Sequence, residues 1–172
     1  MKELSSASDK AAIGRVLSLH LHPKQAGDAM INVLEFTLET DNGIVENTRY
    51  FAKRRSNGNL SRRQVSLIER EVLDDHASAL SVVTFPSGAA RANIESNGIE
   101  LAAYLQRTVH IGTAILFFYA HRDPCSKMDA LAPGLRERML NGRQGVLAQV
   151  VQGGLICVGD NIQVLSETLP VI

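Results

Sequence analysis

Net charge is the first thing this chain lacks. Lys+Arg and Asp+Glu number 18 each in 172 residues, so no overall field draws it onto nucleic acid or anionic lipid, and an anion site has to be built locally. Long apolar runs are absent too. The longest, Ala114 to Ala120, is far too short to cross a bilayer. The opening residues, Met1 to Lys10, contain no apolar signal core, which argues against secretion. Cysteine is scarce, with Cys125 and Cys157 alone. Without a secretory context, two cysteines point to reduced thiols in the cytoplasm rather than to a disulfide. Catalytic signatures are equally sparse: no glycine-rich phosphate loop, no paired-carboxylate motif and no Gly-x-Ser-x-Gly. Nucleotide hydrolysis and serine-esterase chemistry lose ground accordingly.

What is present has the composition of an ordinary globular protein, 45% apolar and 21% charged. The length fits one domain, expected over residues 12–172 behind a short N-terminal tail of residues 1–11. Hydrophobic alternation of period two dominates and predicts strands at 13–22, 30–39, 43–52, 81–85, 108–112, 114–120, 145–152, 155–158 and 161–165. Asp41-Asn42-Gly43 reads as the turn of a hairpin, and Gly153-Gly154 and Gly159-Asp160 as tight turns between the last strands. Helices are fewer. Ser66-Leu67-Ile68-Glu69 has the form of a capping box opening a helix that runs to Ala79. A short helical piece is expected over 99–105. A further helix follows Ser126, split near Pro133 and ended by Asn141-Gly142. The fold class implied is mainly β with a few helices, as a β-barrel or strongly curved sheet. Residues 53–63, polar and basic, read as a flexible loop.

Cys125 is the strongest candidate for chemistry. It follows the apolar run and lies in His121-Arg122-Asp123-Pro124-Cys125-Ser126, a strand end at which the chain turns and a helix begins. A helix N-terminus favours thiolate over thiol. The other reading is a small buried hydrophobe, since free cysteine is among the most buried residue types. Cys157 lies within a strand pattern and is expected in the core. Arg62, Arg63, Arg91 and Arg143 adjoin turns or element boundaries, where guanidinium groups can grip phosphate or carboxylate bidentately. Arg54, Arg55, Arg136 and Arg138 read as solvated faces. In Arg91-Ala92-Asn93-Ile94 the polar pair is expected to face one cleft while Ala92 and Ile94 pack. His20 and His22 share a strand face without further metal ligands at suitable spacing. His121 is in reach of acting as a base toward the thiol, or is simply an exposed strand-end histidine.

Taken in order, these segments resemble the MOSC domain: Arg63-Gln64-Val65-Ser66-Leu67-Ile68, Arg91-Ala92-Asn93-Ile94, Gly98-Ile99-Glu100-Leu101, Ile111-Gly112, Pro124-Cys125, Gly142-Arg143-Gln144-Gly145-Val146 and Gly153 to Asp160. That domain closes molybdenum-cofactor sulfurases and also occurs as stand-alone bacterial proteins. The resemblance covers about residues 14–164 and implies a barrel similar to the β-barrel domain of pyruvate kinase. It implies binding of the molybdenum cofactor (molybdopterin), or carriage of sulfur toward metal–sulfur centres. Cys125 would be the catalytic sulfur, as a molybdenum ligand or as a persulfide. Arg91 and Asn93, with Arg63 and Arg143, would contact the pterin-phosphate part. As an enzyme it would be a molybdenum-dependent oxidoreductase or a sulfur transferase. Reduction of N-hydroxylated compounds would then draw on electron-transfer or sulfur-donor proteins as partners, and a delivery or binding module without turnover is the alternative. Pyridoxal phosphate belongs to the sulfurase domain of longer relatives and is not expected here. Ala92 departs from relatives that carry arginine at that position.

Overall fold

The computed structural model describes residues 13–165; the expected tail over residues 1–11 lies outside them. In chain order the strands are β1 (Gly14–Leu21), β2 (Ile31–Val33), β3 (Glu35–Glu39), β4 (Gly43–Ile44), β5 (Val65–Glu69), β6 (Ile94–Asn97), β7 (Thr108–Ile111), β8 (Ala114–His121), β9 (Val146–Gln152), β10 (Gly154–Cys157) and β11 (Asn161–Val164). The helices are α1 (Arg70–Ala79), α2 (Lys127–Leu131) and α3 (Leu135–Arg138), with a 3-10 turn at Leu101–Tyr104. Seven strands close on themselves in the order β11-β7-β8-β9-β5-β6-β1, because β1 pairs with β11 as well as with β6. Closure leaves no free edge in that ring. Strand β2 extends the sheet from β1, and β3 joins β10 and β4 in a second, three-stranded sheet. Every barrel pairing is antiparallel except β5–β6, which run parallel with α1 as the crossover.

Two apolar clusters hold this together. The barrel interior is filled from alternating strand positions such as Val16, Leu19, Leu67, Leu116, Phe118 and Val150. A second cluster lies between the outer barrel wall and the helices: Ile68 of β5 meets Leu73 and Ala77 of α1, Phe85, Met128 of α2 and Leu135 of α3. That second layer explains β5, where all five residues are buried. With both faces covered, the strand loses its alternation.

Several expectations are corrected here. The strand expected over 30–39 breaks at Leu34, which is 81% exposed; its halves pair with different sheets. The strand expected over 43–52 ends at Ile44 and continues as turns, in which Phe51 N–H bonds Asn47 O. Residues 81–85 form no strand: Val83 is fully exposed and Ser81 takes a positive φ of 57°. The capping box is not formed. Ser66 lies in β5, and Glu69, the residue before α1, makes no side-chain cap bond; its carboxylate accepts the Leu101 N–H instead. Strand β6 was absent from the expected set, and its first three residues are all buried. The split at Pro133 does occur, between α2 and α3. The two cysteines are free. Cys157 is half-buried rather than core: the neighbouring Ile156 takes the inward position. Partial desolvation and the carboxylates of Asp160 and Glu35 push the Cys157 thiol pKa up. Among the described residues no helix is long and apolar enough to cross a membrane.

Candidate functional site

Strand β8 carries the chain to the barrel rim, and the five residues after Ala120 alternate sharply. His121 is exposed, Arg122 buried, Asp123 exposed, Pro124 buried and Cys125 exposed. Pro124 and Met128 are both buried and pin the segment on either side of the thiol. The Met128 N–H also bonds the Cys125 carbonyl at 3.1 Å. Cys125 is thus a surface thiol on a fixed backbone, not a buried hydrophobe. The support expected from a helix start is slight. Helix α2 has five residues, and Ser126 makes no side-chain cap bond. The nearby charge is Arg122, whose guanidinium cation is favoured electrostatically by Cys125.

Arg122 is the most unusual group in the molecule. It is 6% exposed. Its backbone N–H bonds Gly145 O at 3.0 Å, and its Nη2 donates to Arg91 O at 3.1 Å. Its Nε and Nη1 are buried with no hydrogen-bond partner. Burial lowers its pKa from the ordinary arginine range to about 10, helped by the positive charges of Arg63 and Arg91 and opposed by Cys125 and Tyr50. It remains a cation at neutral pH. Beside Gly145, Gln144 Oε1 is likewise buried without a partner. The ion pairs among the described residues involve Arg70, Arg138 and Arg143, so Arg63, Arg91 and Arg122 have no carboxylate. A buried, under-bonded cation is costly unless an anion meets it.

A small cleft of about 10 Å³ is lined by His22, Asn47, Tyr50, Arg63, Gln64, Val65, Ser66 and Asn93; of these, Arg63 and Tyr50 lie within electrostatic reach of Arg122. Asn93, on the approach to β6, is 3% exposed and works as a staple. Its Oδ1 accepts from Ser66 N–H and Oγ–H, both at 3.1 Å, while its Nδ2 donates to His20 O at 3.1 Å. Arg91 holds a left-handed backbone, φ 60°, and donates from Nη1 to Asp28 O at 2.9 Å. Residues off glycine rarely take that conformation, and here it aims the Arg91 carbonyl at Arg122. The His22 ring packs against Tyr50 in a tilted arrangement, with centroids 4.4 Å apart and 53° between the planes. Burial first, then Arg91 and Arg122, lower its pKa from 6.5 to about 4.

The structure therefore places Arg63 and Asn93 in the lining of one cleft, while Arg91, through its carbonyl, and Cys125, through its charge, are linked to Arg122. Ala92 and Ile94 pack as expected, but into the two different clusters. Arg143 goes elsewhere. Its Nη2 pairs with Asp75 of α1, which Arg138 of α3 also engages. Its carbonyl accepts from His76 Nε2. His20 is spent on Ala92 O and Ser87 Oγ, so it forms no metal pair with His22. His121 packs over Gly142, where an added Cβ would lie 2.7 Å from the ring. Among the described residues no three His, Cys, Asp or Glu side chains gather as a metal cage. Sequence reasoning missed Arg122, His22, Asn47 and Tyr50 as neighbours of the cleft. For Arg122 the signal was one arginine at a strand end, with nothing to mark it as buried.

A model of the MOSC domain matches residues 25–163 of the chain. Comparison with curated protein sequences gives no match. Among solved structures, the YuaD protein of Bacillus subtilis superposes with a TM-score of 0.74 at 18% identity, over 88% of this chain and 94% of that one. YiiM from Escherichia coli gives 0.65 at 20% identity, over 91% and 72%. YiiM from Geobacillus stearothermophilus gives 0.62 at 18%, over 89% and 75%. At these identities the likeness establishes a shared fold.

Proposed function

The chain belongs to the MOSC domain family, a family associated with molybdenum-cofactor binding, and we propose that it binds the molybdenum cofactor across the cleft beside Cys125. The observation that supports this is Arg122: a buried guanidinium with two unpartnered nitrogens and, among the described residues, no carboxylate. A phosphate monoester is the complementary group, being anionic and rich in acceptors. Arg63 and Arg91 add two further cations with no carboxylate paired to them among the described residues. The donor set fits the group in a second respect. Cys125 offers one exposed sulfur rather than a metal cage, suited to a metal that arrives with its own ligands. When bound, the cofactor would supply a sulfur-rich metal centre to which a thiolate is a soft ligand. The cleft is about 10 Å³, room for one water-sized group. It admits an anionic tip, and the body of the ligand stays on the open rim.

The chain's own work in this reading is positional. Arg122 neutralises the anion from below, and Arg91, held by Asp28 and by its own carbonyl bond to Arg122, fixes the rim. The backbone bond from Met128 keeps the thiol at the mouth. Reduction of N-hydroxylated compounds would take electrons from a partner protein. The exposure of Cys125 also supports a second reading, in which the thiol carries a sulfane sulfur for delivery to a metal–sulfur centre. Exposure is what exchange with another protein requires.

The test is expression in a cofactor-making host, with molybdenum measured by elemental analysis and the pterin by fluorescence after oxidation. Wild type should hold both, and Arg122→Met should lose most of both. A wild-type protein with neither overturns the cofactor reading. Full molybdenum retention in Cys125→Ser removes the thiol as metal ligand. Cyanolysis on the same pair decides sulfur carriage: thiocyanate from wild type alone supports it, and equal release from both ends it.

A further inference from the structure

Of the polar side chains lining the cleft, most are already committed to the protein. Gln64 donates twice from Nε2, to Asp41 O and Ser61 O, and its Oε1 accepts from Val150 N–H. Ser66 Oγ donates to Asn93 Oδ1 and accepts the Asn93 N–H. Asn93 is the staple described above. Asn47 is spent on His22, so besides Arg63 that leaves the His22 ring and the Tyr50 hydroxyl to meet a ligand.

His22 is gripped at two points by Asn47, once at its backbone and once at its ring, and Asn47 is 1% exposed. Asn47 Oδ1 accepts the His22 backbone N–H at 2.7 Å. A backbone N–H can only donate, so this bond fixes which end of the Asn47 amide is oxygen. The opposite end, Nδ2, lies 3.3 Å from His22 Nδ1 and must be the donor there. Nδ1 is therefore the bare nitrogen, and in the neutral ring the proton sits on Nε2. No protein acceptor is bonded to Nε2 among the described contacts. Tyr50, tilted at 53° with its centroid 4.4 Å away, packs against the ring.

We propose that His22 is a neutral hydrogen-bond donor to the bound anion, with its ring proton held on Nε2 by the two-point grip of Asn47. The inference rests on the anion site proposed above and adds a residue and a protonation state to it. Arg63, Arg91 and Arg122 supply charge around the ring, and they are the same charges that disfavour a second ring proton. His22 then adds direction without charge. A donor that cannot be converted to an acceptor selects an ionised oxygen over a protonated one. Asn47 is the positioning residue, acting only through the ring.

The probe is inorganic phosphate, titrated into the purified protein at pH 7, with the ring read by nitrogen-15 NMR. In wild type the His22 signals should show a bare Nδ1 and a protonated Nε2, and phosphate should shift Nε2 more than Nδ1. His22→Phe should weaken phosphate binding about tenfold, in keeping with loss of one hydrogen bond to a charged group. His22→Gln, which restores a donor, should recover part of it. Asn47→Asp places a carboxylate oxygen against Nδ1 and should move a proton onto that nitrogen. A protonated Nδ1 in wild type overturns the proposal, as does unchanged phosphate affinity in His22→Phe. If His22→Phe binds as wild type does while Arg122→Met does not, the His22 inference falls alone. If wild type takes up no phosphate, the anion site and this inference fall together.

Discussion

His22 has a thermodynamic signature that needs no ligand to measure. Its folded pKa of about 4 lies below the unfolded 6.5. Below pH 6.5 the unfolded chain therefore takes up a proton that the folded chain refuses. Stability falls as pH drops through 6.5, and the loss levels off below about pH 4. A fully shielded shift of this size is worth about 3 kcal/mol, and about 1–2 kcal/mol after discounting for the ring's partial exposure. Urea unfolding at pH 7 and pH 4.5 should show His22→Gln losing less stability on acidification than wild type. His76, also held below its ordinary pKa by burial, acts in the same direction. It is present in both proteins, so the difference isolates His22. Identical losses would place His22 in free contact with solvent. At this scale the sequence was only partly legible. Cys125, Arg91 and Asn93 carry a recognisable pattern, whereas Arg122 and His22 differ from any surface arginine or histidine only by what folds over them. Burial and hydrogen-bond direction are tertiary properties, and no local spacing encodes them.

The clearest failure among the elements was β5, read as the start of a helix. Val65-Ser66-Leu67-Ile68-Glu69 has an apolar pattern compatible with either state, and Ser and Glu at a three-residue offset imitate a cap. What decides it is coverage of both faces, by the barrel core inside and by α1 and the helical layer outside. The strands with one open face, β1 and β8, were located within a residue or so. The same packing makes a sharp prediction at the start of β9. Gly145 has φ +82°, and an added Cβ there would collide with the Leu67 carbonyl of β5. Gly145→Ala must push β9 off β5, and it moves the carbonyl that accepts the Arg122 N–H. The cost should reach about 3–5 kcal/mol, the range of backbone strain combined with overpacking. Gly58, with φ +85° and open space around it, supplies the control, because Gly58→Ala meets the unfavourable φ alone and should cost about 1 kcal/mol. Equal midpoints in urea for the two variants would mean that the β5–β9 contact yields more easily than its geometry implies.

On the scale of the whole molecule, balanced totals conceal a lopsided layout. From Arg49 to Arg63 the chain carries six cations, Arg49, Lys53, Arg54, Arg55, Arg62 and Arg63, and no carboxylate. The segment expected to be a flexible loop is ordered by an antiparallel bridge between Arg54 and Leu60. Its flanks reach the cleft through Tyr50 and Arg63. Arg62 stacks 4.5 Å from the Tyr119 ring centroid, and Lys53 5.0 Å from that of Tyr50. A zero net charge therefore excludes a global field but not a local one. The barrel, closed by the β1–β11 pairing, is the rigid body against which this basic segment is displayed beside the cleft that Arg63 lines. Charges at a rim act on the rate of encounter more than on the lifetime of the complex. Arg54 and Arg55 are exposed, and they lie outside the cleft lining. Replacing both by glutamate should slow association of pyrophosphate several-fold at low salt and leave dissociation unchanged, as stopped-flow mixing would record. The effect should vanish near 1 M salt, where the screening length shrinks to about 3 Å. A change in dissociation instead would mean that these two arginines touch the bound anion, and the site would extend across the loop.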